Sequence, residues 1–89
     1  MTSNESFIVD HQSDSCRFTI PNTQAVLEYQ LDSKQGRVDF SRTFVPQDMR
    51  GSGAAQALVS AGLRWAREEA LTIEASCWYV DKFLRRKRS

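Results

Sequence analysis

A glycine-containing stretch in the second half of the chain is the best candidate for a site with definite chemistry. Its residues are Arg50, Gly51, Ser52, Gly53, Ala54 and Ala55. They follow a β-branched and aromatic run and open a segment of helical period, and such a turn presents backbone N–H groups at the positive end of the helix dipole. A ligand can approach the glycines closely because they have no Cβ. The stretch therefore predicts a site for a phosphate-bearing ligand.

Three phosphate-binding patterns and one ordinary turn compete for this stretch. A P-loop requires a Gly-Lys pair, and the chain contains none. A dinucleotide fingerprint counted from Gly51 requires Gly or Ala where Gln56 stands, and too little chain follows for a doubly wound sheet. The third pattern, Arg/Gln-x-x-Gly-x-Gly/Ala, is filled by Arg50, Gly53 and Ala55. A plain glycine turn that caps a helix also stays open, since glycine is common at such junctions.

Length and charge predict a single small domain. The 89 residues, 40% of them hydrophobic, suffice for one modest core. The net charge of +1 disfavours nucleic acid as a partner. We expect residues 1–5 to be disordered, residues 6–84 to form the domain, and residues 85–89 to be a basic tail that is solvated or reaches a ligand phosphate.

Cysteine content and the N-terminal residues predict a cytoplasmic protein without a membrane segment. The first residues are polar and lack the apolar run of a signal peptide, and no run has the length of a membrane span. Cys16 and Cys77 are expected to be reduced thiols. We predict no metal site, because His11 is the single histidine and no His/Cys cluster has ligand spacing.

Hydrophobic periodicity predicts an α/β (α+β) domain with the order β-β-β-β-α-β-α. Strands are predicted at residues 7–9, 17–20, 24–31, 37–45 and 71–75, with a polar turn at residues 11–15. The first four strands read as antiparallel hairpins. From about Gly53 the period becomes 3.6, with Trp65 on the apolar stripe, and a helix there makes the fifth strand parallel to the fourth. Residues 77–84 are predicted to be a short helix or an extended segment.

Two motifs in this order resemble the GCN5-related N-acetyltransferase fold. The first is Thr43-x-Val45-Pro46 followed by Arg50-x-x-Gly53-x-Ala55, and the second is Cys77-Trp78-Tyr79-Val80. Together they resemble the small single-domain acetyltransferase-like family with a Cys-x-Tyr-Val motif, and the resemblance spans residues 7–84. It implies a minimal fold with a mixed, mostly antiparallel sheet, whose fourth and fifth strands splay apart to form the cofactor groove.

The resemblance implies an acetyl-coenzyme A-binding protein that transfers an acetyl group to an unidentified amine on a small molecule or a protein. Backbone amides of residues 50–55 would hold the pyrophosphate of coenzyme A, and those of Phe44 and Val45 would bind the pantetheine arm. Cys77 would be an acid, a transient acyl acceptor or a buried small residue. Tyr79 would protonate the departing thiolate or pack as an aromatic. The alternative is a non-catalytic module that binds coenzyme A or a protein; a monomer or weak homodimer is expected.

One position departs from the family pattern. Arg42 stands where relatives often have His, so any base must come from elsewhere or the amine must arrive unprotonated. Asp39, Glu74 and Asp81 are the candidate bases, and His11 in its predicted turn is a poor one. Trp78 would flank the cofactor, while Lys82, Arg85 and Arg86 would approach its 3′-phosphate or form a solvated face.

Overall fold

The computed structural model describes residues 7–88, with side chains through Leu84. The predicted disorder of residues 1–5 therefore lies outside the described residues. The strands are β1 (Asp10–Gln12), β2 (Arg17–Thr19), β3 (Val26–Asp32), β4 (Arg37–Phe44) and β5 (Thr72–Ala75). The α-helices are α1 (Ala54–Glu68) and α2 (Trp78–Arg88), and short 3-10 helices span Ser13–Ser15 and Gln47–Met49.

The described strands form one five-stranded sheet in the order β1-β2-β3-β4-β5. The first four pair antiparallel with their neighbours, and β4 pairs parallel with β5. A parallel pair needs a long crossover, and α1 supplies it. The predicted fold class and element order are thus confirmed, and the segment after β5 is a helix rather than an extended strand.

The core lies between α1 and one face of the sheet. Its fully buried side chains include Leu58, Val59 and Leu63 on α1. Leu27 and Phe40 on the sheet are also completely buried, and burying a side chain of this size stabilises a fold by roughly 1.5–3 kcal/mol. Gly62 allows the helix to approach these two side chains closely, because a Cβ there would lie 2.9 Å from Leu27 Cδ2.

The predicted N-terminal strand is wrong. Residues 7–9 form no strand, and β1 contains residues that were expected in a polar turn. The reason is non-local: His11 pairs with Phe18 in the β1–β2 ladder, while Cys16 takes a left-handed conformation with φ of 55° and sets where the hairpin turns. The cross-strand register therefore decides where the first strand forms, and a run of three apolar residues does not.

Neither α-helix of the described part of the chain has both the length and the apolar composition that a membrane crossing requires.

Candidate functional site

The site is built where β4 continues beyond its parallel partner. Pairing between the two strands ends at Phe40 and Ala75, and β4 then runs on to Phe44. After β5 the chain stays in contact with β4, and the Cys77 amide donates a hydrogen bond of 3.1 Å to the Phe40 carbonyl. The last residues of β4 still pair with β3, but on the side of β5 they face the turn that enters α2.

The glycine stretch connects the end of β4 to α1 through the 3-10 helix Gln47–Met49. Gly51 and Gly53 have φ values of 83° and 94°, a region that strains residues with a Cβ. Two amides of the stretch are engaged locally: Arg50 donates to the Gln47 carbonyl and Ser52 to the Met49 carbonyl, each at 3.2 Å. The Ser52 hydroxyl also donates to the Met49 carbonyl.

The remaining amides of the stretch are available to a ligand. Gly53 is the N-cap of α1 and offers no side-chain cap. Among residues 7–88, the amides of Gly51, Gly53, Ala54 and Ala55 have no hydrogen-bond acceptor. A helix begins with N–H groups that have no partner inside the helix, and its dipole makes this end positive. An anion at this helix end would meet four amide donors, whereas the sequence predicted six.

A cavity of about 410 Å³ lies against these amides. It brings together most of the residues expected from the sequence, and its lining is Val45, Met49, Arg50, Gly51, Gly53, Ala54, Ala55, Gln56 and Tyr79. Phe44, Ser52 and Cys77 are not part of the lining. The cavity thus joins the glycine stretch to the first turn of α2, which are distant in sequence.

Arg50 contributes a cation at the rim of this cavity. Its Nε donates to the Val45 carbonyl at 3.3 Å, and the residue as a whole is exposed. This contact ties the guanidinium to the end of β4. A guanidinium in this position favours phosphate, since its planar donors match phosphate oxygens.

Cys77 precedes the first residue of α2. Its sulfur lies 3.6 Å from the Thr43 hydroxyl, within hydrogen-bonding range for sulfur. Burial raises the pKa of the thiol. Hydrogen bonds from the Thr43 side chain and from the backbone of Val80, Tyr79 and Thr43 outweigh burial, so the net pKa is lowered. A lowered pKa increases the thiolate fraction, the form that acts as a nucleophile.

The candidate bases lie in other arrangements. Asp39 accepts two hydrogen bonds from Ser76, one from the backbone amide at 2.8 Å and one from the hydroxyl at 2.7 Å. Glu74 pairs with Arg37 at 3.6 Å on an exposed part of the sheet. The Asp81 amide donates to the Cys77 carbonyl at 3.0 Å. None of the three acids lines the cavity.

His11 belongs to an aromatic cluster that is separate from the cavity. Its ring stacks on Phe18 at 4.1 Å between centroids and meets the edge of Trp65 at 4.8 Å. His11 Nε2 lies 2.6 Å from the Tyr29 hydroxyl. The expectation of a turn residue is therefore wrong, because strand pairing places the ring on these aromatics. Trp65 packs in this cluster and is half-buried.

The other basic and aromatic residues lie outside the cavity lining. Arg42 pairs with Glu28 at 3.6 Å and lies over the Phe44 ring at 5.9 Å. Trp78 is 72% exposed, and Lys82 Nζ lies 5.8 Å from its ring centroid. The backbone of residues 85–88 continues α2, but their side chains, and hence the expected roles of Arg85 and Arg86, lie outside the described part.

Sequence reasoning assigned no role to three residues that the structure brings to the site. Met49 and Gln56 line the cavity, and Thr43 contacts the Cys77 sulfur. The sequence signals that could have identified them were the positions of Met49 and Gln56 beside the glycine stretch and of Thr43 inside the Thr43-x-Val45-Pro46 motif. Neither signal reports which side chains point inward, since that depends on the packing of α2.

Comparison with known proteins found a matching family model and similar sequences. A family model described as GCN5-related N-acetyl-transferase matches residues 17–89. Protein NATD1 of Bos taurus is 36% identical over 81 residues, which cover 86% of this chain and 71% of that protein. Protein NATD1 of Xenopus tropicalis is 32% identical over 89 residues, covering 96% of this chain and 81% of that protein. The human Protein NATD1 is 35% identical over 81 residues, covering 86% and 71%.

Proposed function

The chain belongs to the GCN5-related N-acetyltransferase family, and we propose that it binds acetyl-coenzyme A and transfers the acetyl group to an amine. The observation that carries this proposal is the cavity at the start of α1, where Arg50 and four amides that have no acceptor within residues 7–88 adjoin Tyr79. An anion would bind at the end of the cavity formed by these amides, and the other end is lined by Tyr79 of α2.

The pyrophosphate end of the ligand would lie at the glycine stretch. The amides of Gly51, Gly53, Ala54 and Ala55 would donate to phosphate oxygens, and the Arg50 guanidinium would add charge. Ser52 would shape the turn rather than bind, because its amide and hydroxyl both donate to Met49. The fit depends on glycine conformations that other residues adopt only with strain.

The pantetheine arm would run along the end of β4. Phe44 and Val45 end this strand, and their backbone groups are the ones an extended amide chain would meet. The Val45 carbonyl is at present bonded to Arg50. On binding, the guanidinium would therefore be shared between this carbonyl and the pyrophosphate. The thioester would then lie near Cys77 and Tyr79.

The reaction we propose is acyl transfer through Cys77. The thiolate of Cys77 attacks the acetyl carbon, and the carbon–sulfur bond to coenzyme A breaks. Tyr79 donates a proton to the departing thiolate. The amine nitrogen then bonds to the acetyl carbon, the Cys77 sulfur leaves with the electron pair, and the proton lost by nitrogen restores Tyr79. The acceptor amine is on a small molecule or a protein.

Calorimetric titration with acetyl-coenzyme A tests the binding step. Gly53→Glu places a carboxylate among the free amides, and we expect it to raise Kd at least about tenfold. Gly36→Glu is the matched control, because Gly36 also has positive φ, 64°, and lies in the turn before β4, at the opposite end of that strand from the glycine stretch. It makes the same charge change and is expected to leave Kd unaffected.

Two results bear on the proposal differently. Failure of the folded wild type to bind acetyl-coenzyme A contradicts the proposal as a whole. Binding without acetyl transfer to any amine, together with no acetyl group on Cys77 by mass spectrometry, supports the alternative of a non-catalytic module on the same cavity. In the catalytic case Cys77→Ala retains binding and loses transfer.

A further inference from the structure

Thr43 and Cys77 meet across the end of the sheet although 34 residues separate them in sequence. Thr43 lies near the end of β4, beyond the last residue that pairs with β5. Cys77 lies in the turn between β5 and α2. Both residues are partly buried, and the distance from Thr43 Oγ1 to Cys77 Sγ is 3.6 Å.

The turn that carries Cys77 is held to β4 at several points. The Cys77 amide donates to the Phe40 carbonyl at 3.1 Å, and Asp39 accepts two hydrogen bonds from Ser76. On the other side, the Asp81 amide donates to the Cys77 carbonyl at 3.0 Å. These bonds fix the backbone on both sides of Cys77, whose sulfur lies beside Thr43.

Hydrogen bonds rather than charges set the chemistry of this sulfur. After burial, which raises the thiol pKa, the strongest influence is the Thr43 side chain, followed by backbone donors of Val80, Tyr79 and Thr43. The ionisable groups on the neighbouring elements, among residues whose side chains are described, are Arg37, Asp39 and Arg42 on β4, Glu74 on β5, and Tyr79, Asp81 and Lys82 on α2. None of these side chains contributes a charge effect to the pKa of the thiol.

We propose that Thr43 is a positioning residue, whose hydroxyl donates a hydrogen bond to the Cys77 sulfur and favours its thiolate form at the end of β4. The inference rests on the proposed function, because an activated sulfur matters only if it meets the acetyl carbon. The hydroxyl itself touches neither the acetyl group nor the amine. It acts through Cys77, by lowering the energy of the thiolate before attack.

A pair of substitutions separates this role from packing. Thr43→Val keeps the size and the branched shape and removes the hydroxyl, whereas Thr43→Ser keeps the hydroxyl and removes the methyl. Backbone donors to the sulfur are present in both variants. Thr43→Ala also lacks the hydroxyl and is the second choice if the valine variant does not fold, which thermal unfolding monitored by circular dichroism establishes.

The first readout is the pH dependence of Cys77 alkylation by iodoacetamide, resolved by peptide mass spectrometry, with Cys16 as an internal reference. We expect the Val variant to shift the Cys77 profile to higher pH and to slow alkylation at pH 7 about three- to tenfold. The Ser variant is expected to stay within about twofold of wild type. The second readout is the rate of Cys77 acetylation by acetyl-coenzyme A, which should follow the same order.

Unchanged alkylation profiles in the folded Val and Ala variants would overturn the role of Thr43, whatever the cofactor does. Equal slowing in the Ser and Val variants would also overturn it, since packing rather than the hydroxyl would then be responsible. The alkylation arm needs no acetyl-coenzyme A. If the wild type fails to bind that ligand, the proposed function falls, and the profiles still decide whether Thr43 acts on the sulfur.

Discussion

The Asp39 carboxylate binds Ser76 twice, through the backbone amide at 2.8 Å and through the hydroxyl at 2.7 Å. This pair joins β4 to the turn that precedes Cys77. Asp39 was a candidate base from sequence, but both of its oxygens are engaged with Ser76. We therefore regard it as a structural residue that fixes where the turn leaves the sheet.

Replacing Asp39 should loosen this turn. Asp39→Ala removes two hydrogen bonds to a carboxylate, and we expect it to lower the free energy of unfolding by about 1 kcal/mol, since the site is exposed. Amide exchange at Ser76, which loses its acceptor, should accelerate. Asp32→Ala is the matched control, because the Asp32 carboxylate accepts the Gln35 amide at 3.2 Å in the β3–β4 turn. Accelerated exchange at Ser76 in the control as well would contradict a local role.

Side chains at Gly62 should not fit the core. A Cβ there would lie 2.9 Å from Leu27 Cδ2 and 3.0 Å from Phe40 Cε1, and both side chains are completely buried. We expect Gly62→Val to destabilise the protein by about 3 kcal/mol, measured by urea unfolding. Arg64→Val on the exposed side of α1 reports the cost of a β-branched helix residue alone, about 0.5 kcal/mol. Similar losses in both variants would refute close packing at Gly62.

Stability should depend on pH through His11. Burial lowers the pKa of His11 below its ordinary value of 6.5. The unfolded chain therefore binds a proton before the folded chain does, and stability that is present above pH 6.5 is lost as the pH falls through the folded pKa. Unfolding in urea at several pH values should show this loss in wild type and a smaller one in His11→Gln. Identical pH profiles for the two proteins would show that His11 is not responsible.

Arg50 should affect acetyl-coenzyme A binding through its charge. We expect Arg50→Gln to raise Kd about three- to tenfold at low ionic strength and less in concentrated salt, because salt screens an exposed charge. Arg64→Gln makes the same charge change on an exposed residue of α1 that does not line the cavity. Calorimetric titration of both variants provides the comparison. An equal loss of affinity in the two would point to net charge rather than to the position of Arg50.

Local patterns in the sequence determined most of the elements. The alternation of buried Val38 and Phe40 in β4 and the 3.6-residue period of α1 follow from backbone geometry within one element, so a single segment reveals them. The glycine stretch was predictable for the same reason, because positive φ is a property of individual residues. The family motifs added the expectation of a cofactor groove between the fourth and fifth strands.

Only the tertiary structure decided which distant side chains meet. The register of β1 placed His11 on Phe18 and Tyr29, where sequence predicted a turn. The docking of the turn after β5 brought Cys77 to Thr43. The local fold of residues 47–53 decided which amides of the glycine stretch stay free. Such contacts arise when packing and hydrogen bonding select one register among several that a local pattern allows, and no period within a segment encodes that choice.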